Sequence, residues 1–503
     1  MAEERASYRL TNIDASFLYQ ESAISQMHGG GIFFLRGELP FDKFFRHIHG
    51  RLHITPRYRQ RLVFPLFNLA HPTLEDDPEF KLENHVQRRQ LPEGVDEARA
   101  VNEIARYNNS RILDRSRPLW CMTLFEGMPG YSFVLFEMHH CLVDGVSGFD
   151  LMNRLMDFTP NPEPAEAPLN EVKSSAALPS TSEAFVRAVR DLIVQQVDSA
   201  AHTALDFMRD PIGGIRQAQQ LADSMRVLNE SMQRTAIATP WNNLVTQDRR
   251  VAWVKFPFDD FRAMRRAFGG TINDLVLTLV SEAAARYLKH RGWPTDGYLR
   301  IGCPVNVRRA GEQITLENRV SIMMPMMPAR PMDVVERLQV VVAETKRQKD
   351  AGLPYVIDQI TSMNSMPPAL TATIGRAAAQ QLETAAQFIK AINWTPAASG
   401  PYMPVTGINF MATNVPGPQT PWFFAGYEVT EMVGVIPLAA NLGLGVVITS
   451  YNQQLFVSLT AEPRLLPDVD RLRDFIQDAF EELRKRLPKL DSKKELEVRA
   501  AAA

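Results

Sequence analysis

The chain has 503 residues and is 45% apolar, enough to bury a sizeable core, and its length points to two or more domains. Its 55 lysines and arginines nearly cancel its 57 aspartates and glutamates, which excludes the one-signed field expected of a nucleic-acid binder. Cys121, Cys141 and Cys303 are too few and too scattered for a disulfide framework or a zinc cluster; a reducing, cytoplasmic setting and no metal are expected. The opening residues, Met1-Ala2-Glu3-Glu4-Arg5, mix charges and lack the apolar stretch of a secretory signal, so export is not expected.

The first chemically informative segment is Tyr131 to Met138, an almost wholly apolar run preceded by Pro129-Gly130, which reads as a central buried strand. His139 and His140 follow at its end, then Asp144 and Gly145, then Ser147 as the expected N-cap of a helix with Phe149, Met152, Leu155 and Met156 on its apolar face. Strand, tight loop and helix can together expose one imidazole to a cleft while Asp144, turned inward, pairs with an arginine and holds the loop. Histidine suits a general base because its ordinary pKa, about 6.5, lets it take a proton near neutrality and return it later. No Gly-x-Ser-x-Gly elbow is present, and Cys141 follows the histidines with no separate base. Direct attack of a hydroxyl on a thioester is therefore favoured over a covalent intermediate. Two adjacent histidines alone would more often be ordinary hydrogen-bonded residues; the full spacing to Asp-Gly separates this pair from that reading.

Asn161 to Leu169 and Ser174 to Ser182 are rich in Pro, Ala and Ser, as an exposed linker would be. Glu183 to Thr235 then shows helical periodicity through Phe185, Val189, Leu192, Ile193 and Val197. The expected organisation is a first domain at 1–160, a linker and helical connector at 161–240, a second α/β domain at 241–490 and a tail at 491–503.

In the second domain, Gly269-Gly270 ends one helix and Thr271 can cap the next, with Asp274 three residues on in a capping-box arrangement. Ile272, Leu275, Val276, Leu279, Val280 and Ala283 form its buried stripe. Asp274 is best read as part of the cap. Asn273, in the first turn, is either a generic polar residue or a donor aimed at developing negative charge. Val356 to Ile392, rich in Met, Ala, Leu and Ile and broken by Pro367-Pro368, reads as packing helices, with an acyl groove or a lipid-facing surface as the alternative. Met432 to Tyr451 runs 20 residues without a charge, but Pro437, Asn441 and three glycines interrupt it. It reads as two buried strands around a turn, not a membrane span.

These motifs occur with others in a recognisable order: Gln26-Met27-His28-Gly29-Gly30-Gly31, Pro56 to Leu62, His71-Pro72, Asp76 to Phe80, His85-Val86 and Pro118-Leu119-Trp120. After the histidine motif come Asn273-Asp274, Pro304 to Arg308, Glu317-Asn318-Arg319 and Asn414-Val415-Pro416-Gly417-Pro418. In these blocks the chain resembles the bacterial wax ester synthase and diacylglycerol acyltransferase family over nearly its whole length.

The resemblance implies an α/β (α+β) fold of two domains like those of the chloramphenicol acetyltransferase superfamily, with mixed sheets, flanking helices and an active site in a tunnel between them. It implies transfer of a fatty acyl group from acyl-CoA, a co-substrate and not a resident cofactor, to a long-chain alcohol or diacylglycerol. His140 would be the base and Asn273 its partner from the second domain. Asp144 and Gly145 would shape the loop, His139 would orient the loop or the substrate, and Trp120 would pack the core. Arg308, with Asn306 beside it, is the candidate contact for CoA phosphates. A peripheral place on a membrane or lipid droplet is also implied. The competing readings are a peptide-synthesis condensation enzyme, which shares the histidine motif, and a non-catalytic lipid-binding protein of the same fold.

Overall fold

The computed structural model describes residues 8–65, 70–142, 145–162, 236–306, 320–355, 407–438 and 441–488, with scattered positions between 219 and 234. Most of the expected linker and connector, the 356–392 stretch and the tail lie outside the described residues.

Two mixed sheets carry the architecture. The first runs Phe423–Phe424, Tyr427–Val435, His28–Arg36, Tyr131–His139, Trp120–Met128, Val86–Gln90; its last pair is parallel and the others antiparallel. The second runs Val320–Met323, Tyr298–Asn306, Phe410–Pro416, Leu444–Tyr451, Gln454–Ala461, Arg250–Pro257, with Met326–Pro328 also on Tyr298–Asn306. Here Phe410–Pro416 is parallel to both neighbours.

Tyr131–His139 shows why its sequence reads as a continuous apolar run. Val134, Phe136 and Met138 enter a core with Trp120, Leu151 and Trp422, while Phe133 and Leu135 enter another with Val101, Ile104 and Phe34. Side chains alternate between the faces of a strand, and both faces of this one are covered. Trp120 is a core residue: its Nε1 donates to the Tyr58 carbonyl at 2.7 Å, and its ring stacks on His85. In the second domain, helix Ile272–His290 packs between Val334–Asp350 and Val469–Lys485, so most of its surface is buried. No helix among the described residues is long and apolar enough to cross a membrane.

The two halves of the sequence do not build separate sheets. Tyr427–Val435, from the stretch expected in the second domain, crosses over to pair with His28–Arg36, and Leu444–Tyr451 then returns to the second sheet. The uncharged run from Met432 to Tyr451 thus contains two buried strand segments, but they belong to different sheets and form no hairpin. Local patterning specifies a strand without specifying its partner. The crossing strand holds the sheets together: Ser458 Oγ donates to the Gly434 carbonyl at 2.9 Å, and Val447 fills the space a Cβ on Gly434 would need. Glu431 accepts from Trp253 Nε1 at 3.3 Å and pairs with Lys255. On the first domain's helix Glu97–Asn109, the Asn102 carboxamide bonds both the N–H and the C=O of Val251 on the second sheet's edge strand, at 2.9 and 3.1 Å.

Candidate active site

The two histidines at the end of Tyr131–His139 have different surroundings. His139 is fully buried. Its Nδ1 accepts the Cys141 main-chain N–H at 3.1 Å, and its Nε2 lies 3.4 Å from Glu21 Oε1. A nitrogen that accepts carries no proton, so neutral His139 holds its hydrogen on Nε2, toward Glu21. Burial lowers the His139 pKa against the pull of Glu21, which keeps the ring neutral. For Glu21, burial acts upward, but His139, the Met27 N–H and Arg115 together outweigh it and hold the carboxyl at about 2. Arg115 reaches Glu21 Oε2 at 3.0 Å. His139 thus holds the turn through Nδ1, while its Nε2 faces the Glu21 carboxylate without a well-aligned hydrogen bond.

His140 continues the strand pairing by one bond, its N–H donating to the Met27 carbonyl at 2.9 Å. Its half-buried ring stacks on Phe17 of helix Asn12–Gln20, with 5.2 Å between centroids and 29° between planes. A capping box in which Thr11 and Asp14 bond each other's main chain begins that helix. Beside the imidazole lies Gly29: a Cβ there would stand 2.9 Å from His140 Nε2 and 3.3 Å from both Pro437 and the Val435 carbonyl. Val435 ends the crossing strand and Pro437 begins the return to the second sheet. The ring of His140 therefore lies where the first sheet gives way to the second. Sequence reasoning did not single out Phe17, Glu21, Arg115 or Gly29 for the site; only the glycine triplet carried a signal, since glycine within a strand marks close approach.

Asp144 lies outside the described residues. Gly145 opens helix Gly145–Asn153, so Ser147 falls inside the first turn and is not the N-cap the sequence suggested. The thiols are sealed away: burial pushes Cys121 up to about 11 and Cys303 to about 12, and raises Cys141 well above the ordinary range. A thiol held protonated in the interior is inert as a nucleophile.

Asn273 occupies the second position of helix Ile272–His290. Thr271 and Asp274 form the predicted capping box, and Asp274 Oδ1 also accepts from Thr345 Oγ1 at 2.8 Å. Asp274 is thereby committed to structure. Asn273 Oδ1 accepts from Asn414 Nδ2 at 3.2 Å. Asn414 lies on Phe410–Pro416, the strand against which helix Gly145–Asn153 packs. The helix of the histidine motif and the first turn bearing Asn273 thus contact the same strand. Asn306 ends strand Tyr298–Asn306, whereas Arg308 lies outside the described residues. Among the described residues, no group of three or more His, Cys, Asp or Glu side chains is placed to hold a metal.

Comparison with known proteins sets this arrangement in a family. The model of the wax ester synthase/diacylglycerol acyltransferase catalytic domain matches residues 10–276, and that of the WS/DGAT C-terminal domain matches 316–484. The chain belongs to the wax ester synthase/diacylglycerol acyltransferase family. It is an acyl-CoA-dependent O-acyltransferase of that family. The Mycobacterium tuberculosis protein named probable diacylglycerol O-acyltransferase tgs1 is 29% identical, over 94% of this chain and 95% of its own length. The fold is that of the wax ester synthase/diacylglycerol acyltransferase from Marinobacter aquaeolei VT8, with TM-score 0.61 and 21% identity over 94% of this chain and 98% of that one. The starter condensation domain of rhizomide synthetase, solved with C8-CoA and Leu-SNAC, shares the fold at TM-score 0.57 and 14% identity, over 97% of this chain and 96% of that one.

Proposed function

We propose that this WS/DGAT-family enzyme transfers a fatty acyl group from acyl-CoA directly to the hydroxyl of a long-chain alcohol or diacylglycerol, with His140 as general base. In this reading the imidazole takes the hydroxyl proton as the oxygen attacks the thioester carbonyl. The carbon–sulfur bond then breaks, and the proton passes to the departing CoA thiolate. Asn273 donates to the oxygen on which charge develops.

The observation that carries the proposal is the division of labour at the strand end. His139 is fully buried, with Nδ1 bonded to the Cys141 main chain and Nε2 turned to Glu21, and is held neutral, while the half-buried ring of His140 lies at the junction of the sheets beside Phe17 and Gly29. The buried, protonated thiols support direct transfer over an acyl-cysteine intermediate. An acyl-CoA donor is further supported by the rhizomide domain, a protein of this fold solved with C8-CoA. The acceptors follow from the family, and uptake of such insoluble molecules suits a peripheral place on a membrane or droplet.

The test is a purified-enzyme assay of palmitoyl-CoA with hexadecanol and, separately, with dioleoylglycerol. His140→Ala is expected to lose at least about a hundredfold in kcat with either acceptor. A variant that makes ester at the wild-type rate would sink the assignment, and product from only one acceptor in the wild type would fix the substrate class.

A further inference from the structure

The geometry points to Asn414 as a positioning residue that sets which way the Asn273 carboxamide faces; this rests on the proposed role of Asn273 as a donor to the acyl oxygen. The backbone of Asn273 is fixed on its own account by the Thr271–Asp274 box and by Thr345 on the neighbouring helix. What those contacts leave open is the side-chain amide, whose two arms differ in kind: one oxygen that accepts and one nitrogen that donates. Asn414 Nδ2, 3.2 Å from Asn273 Oδ1, holds the accepting arm and leaves Nδ2 of Asn273 as the arm turned away from Asn414.

Asn414 is well placed to impose that choice. Phe410 and Ala412 lie in the same core as Leu275, Val276 and Leu279 of helix Ile272–His290. Asn414, two residues further along, continues that face toward the helix's first turn. Its main chain is in register with Ile448 of the adjacent parallel strand. At the end of the same strand, Phe149, from the helix of the histidine motif, lies 3.0 Å from where a Cβ on Gly417 would be. One stretch of backbone therefore meets the His140 motif and orients Asn273.

The roles separate in a double-mutant cycle on the purified enzyme, read as kcat and as KM for palmitoyl-CoA. Asn414→Asp keeps the size but replaces the donor with an acceptor, so it should draw Nδ2 of Asn273 toward itself. Its kcat should fall about as far as that of Asn273→Ala, at least about tenfold, with KM changed by no more than about threefold. Asn414→Ala, which releases the amide without reversing it, should lose less. Combining Asn273→Ala with Asn414→Asp should be no slower than Asn273→Ala alone, because the second residue acts only through the first. If Asn414→Asp fails to fold, as judged by thermal melts, the cycle is run with Asn414→Ala and the same non-additivity is expected. An impaired Asn273→Ala whose loss multiplies with that of the Asn414 variant overturns the positioning role alone. Full rate in Asn273→Ala overturns that role and the donor reading together.

Discussion

Gly29 and His140 face each other so closely that a methyl group on the glycine would come within 2.9 Å of the imidazole Nε2. The atom it would meet is the tip of a side chain, which can swing, and the Val435 carbonyl and Pro437 stand slightly further off at 3.3 Å. The bare backbone at Gly29 therefore leaves room for the His140 ring, the proposed base, in its place beside Phe17.

Gly29→Ala should consequently be mild for the fold and severe for the reaction. The ring gives way before the backbone does, and displacement of a catalytic group by about 1 Å can cost on the order of a hundredfold in rate. The expected result is a drop of more than about tenfold in kcat with a melting temperature within a few degrees of wild type. A wild-type kcat in Gly29→Ala would show that the ring's position there is immaterial.

His139 should separate in the opposite sense. Gln places an amide nitrogen near the position of Nε2 and keeps a donor toward Glu21, whereas Ala leaves that buried carboxylate with one partner fewer. His139→Ala should cost about 1–3 kcal/mol in urea unfolding, and His139→Gln distinctly less. Equal losses from the two would mean that the Nε2–Glu21 contact contributes nothing.

Cys141 sits directly after the two histidines, where a nucleophile would be convenient, yet it is buried and its thiol is held protonated. Cys141→Ala should retain acyl transfer within about threefold of wild type, and iodoacetamide should react slowly with the native enzyme. Abolition of activity in a folded Cys141→Ala would restore a covalent mechanism.

What the sequence made legible follows the range of the interactions involved. The apolar run ending in His139-His140 and the Thr271–Asp274 capping box are local patterns, and both are found as read. The strand character of the Met432–Tyr451 run was legible too, because uncharged residues broken by glycine and proline suit buried strands. The exchange between sheets was not, since nothing local tells Tyr427–Val435 to pair with residues about four hundred positions earlier. The same holds for the site: the Glu21 carboxylate reaches His139 and Arg115 across long sequence separations, and the Asn414–Asn273 bond spans 141 positions. Ser147 failed as a cap because a serine before an apolar helical face is a common signature, while the helix begins two residues earlier at Gly145.

Buried histidines also dictate how the fold responds to acid. Burial depresses the pKa of His28 and of His47 from 6.5 to about 4, and lowers those of His85 and His139. A histidine whose folded pKa lies below its unfolded one is neutral in both states at high pH. As the pH falls through 6.5, the unfolded chain takes up a proton that the folded chain refuses. For His28 and His47, stability present above 6.5 is therefore lost progressively down to about pH 4, each adding up to about 1.4 kcal/mol per pH unit to the slope. Glu21 acts in a lower window: its carboxylate contributes above its ordinary 4.5 and loses that contribution as the pH falls toward about 2. Urea unfolding should show stability declining between about pH 6.5 and 5, with the buried Glu137 carboxyl, pushed up to about 7 by burial, offsetting about one proton of that slope because the folded chain holds its proton more tightly than the unfolded one. His47→Gln should reduce that slope by about one proton, since the amide keeps a donor toward the Leu155 carbonyl and does not titrate. A slope unchanged by the substitution would mean that His47 takes up its proton as readily in the folded chain as in the unfolded one.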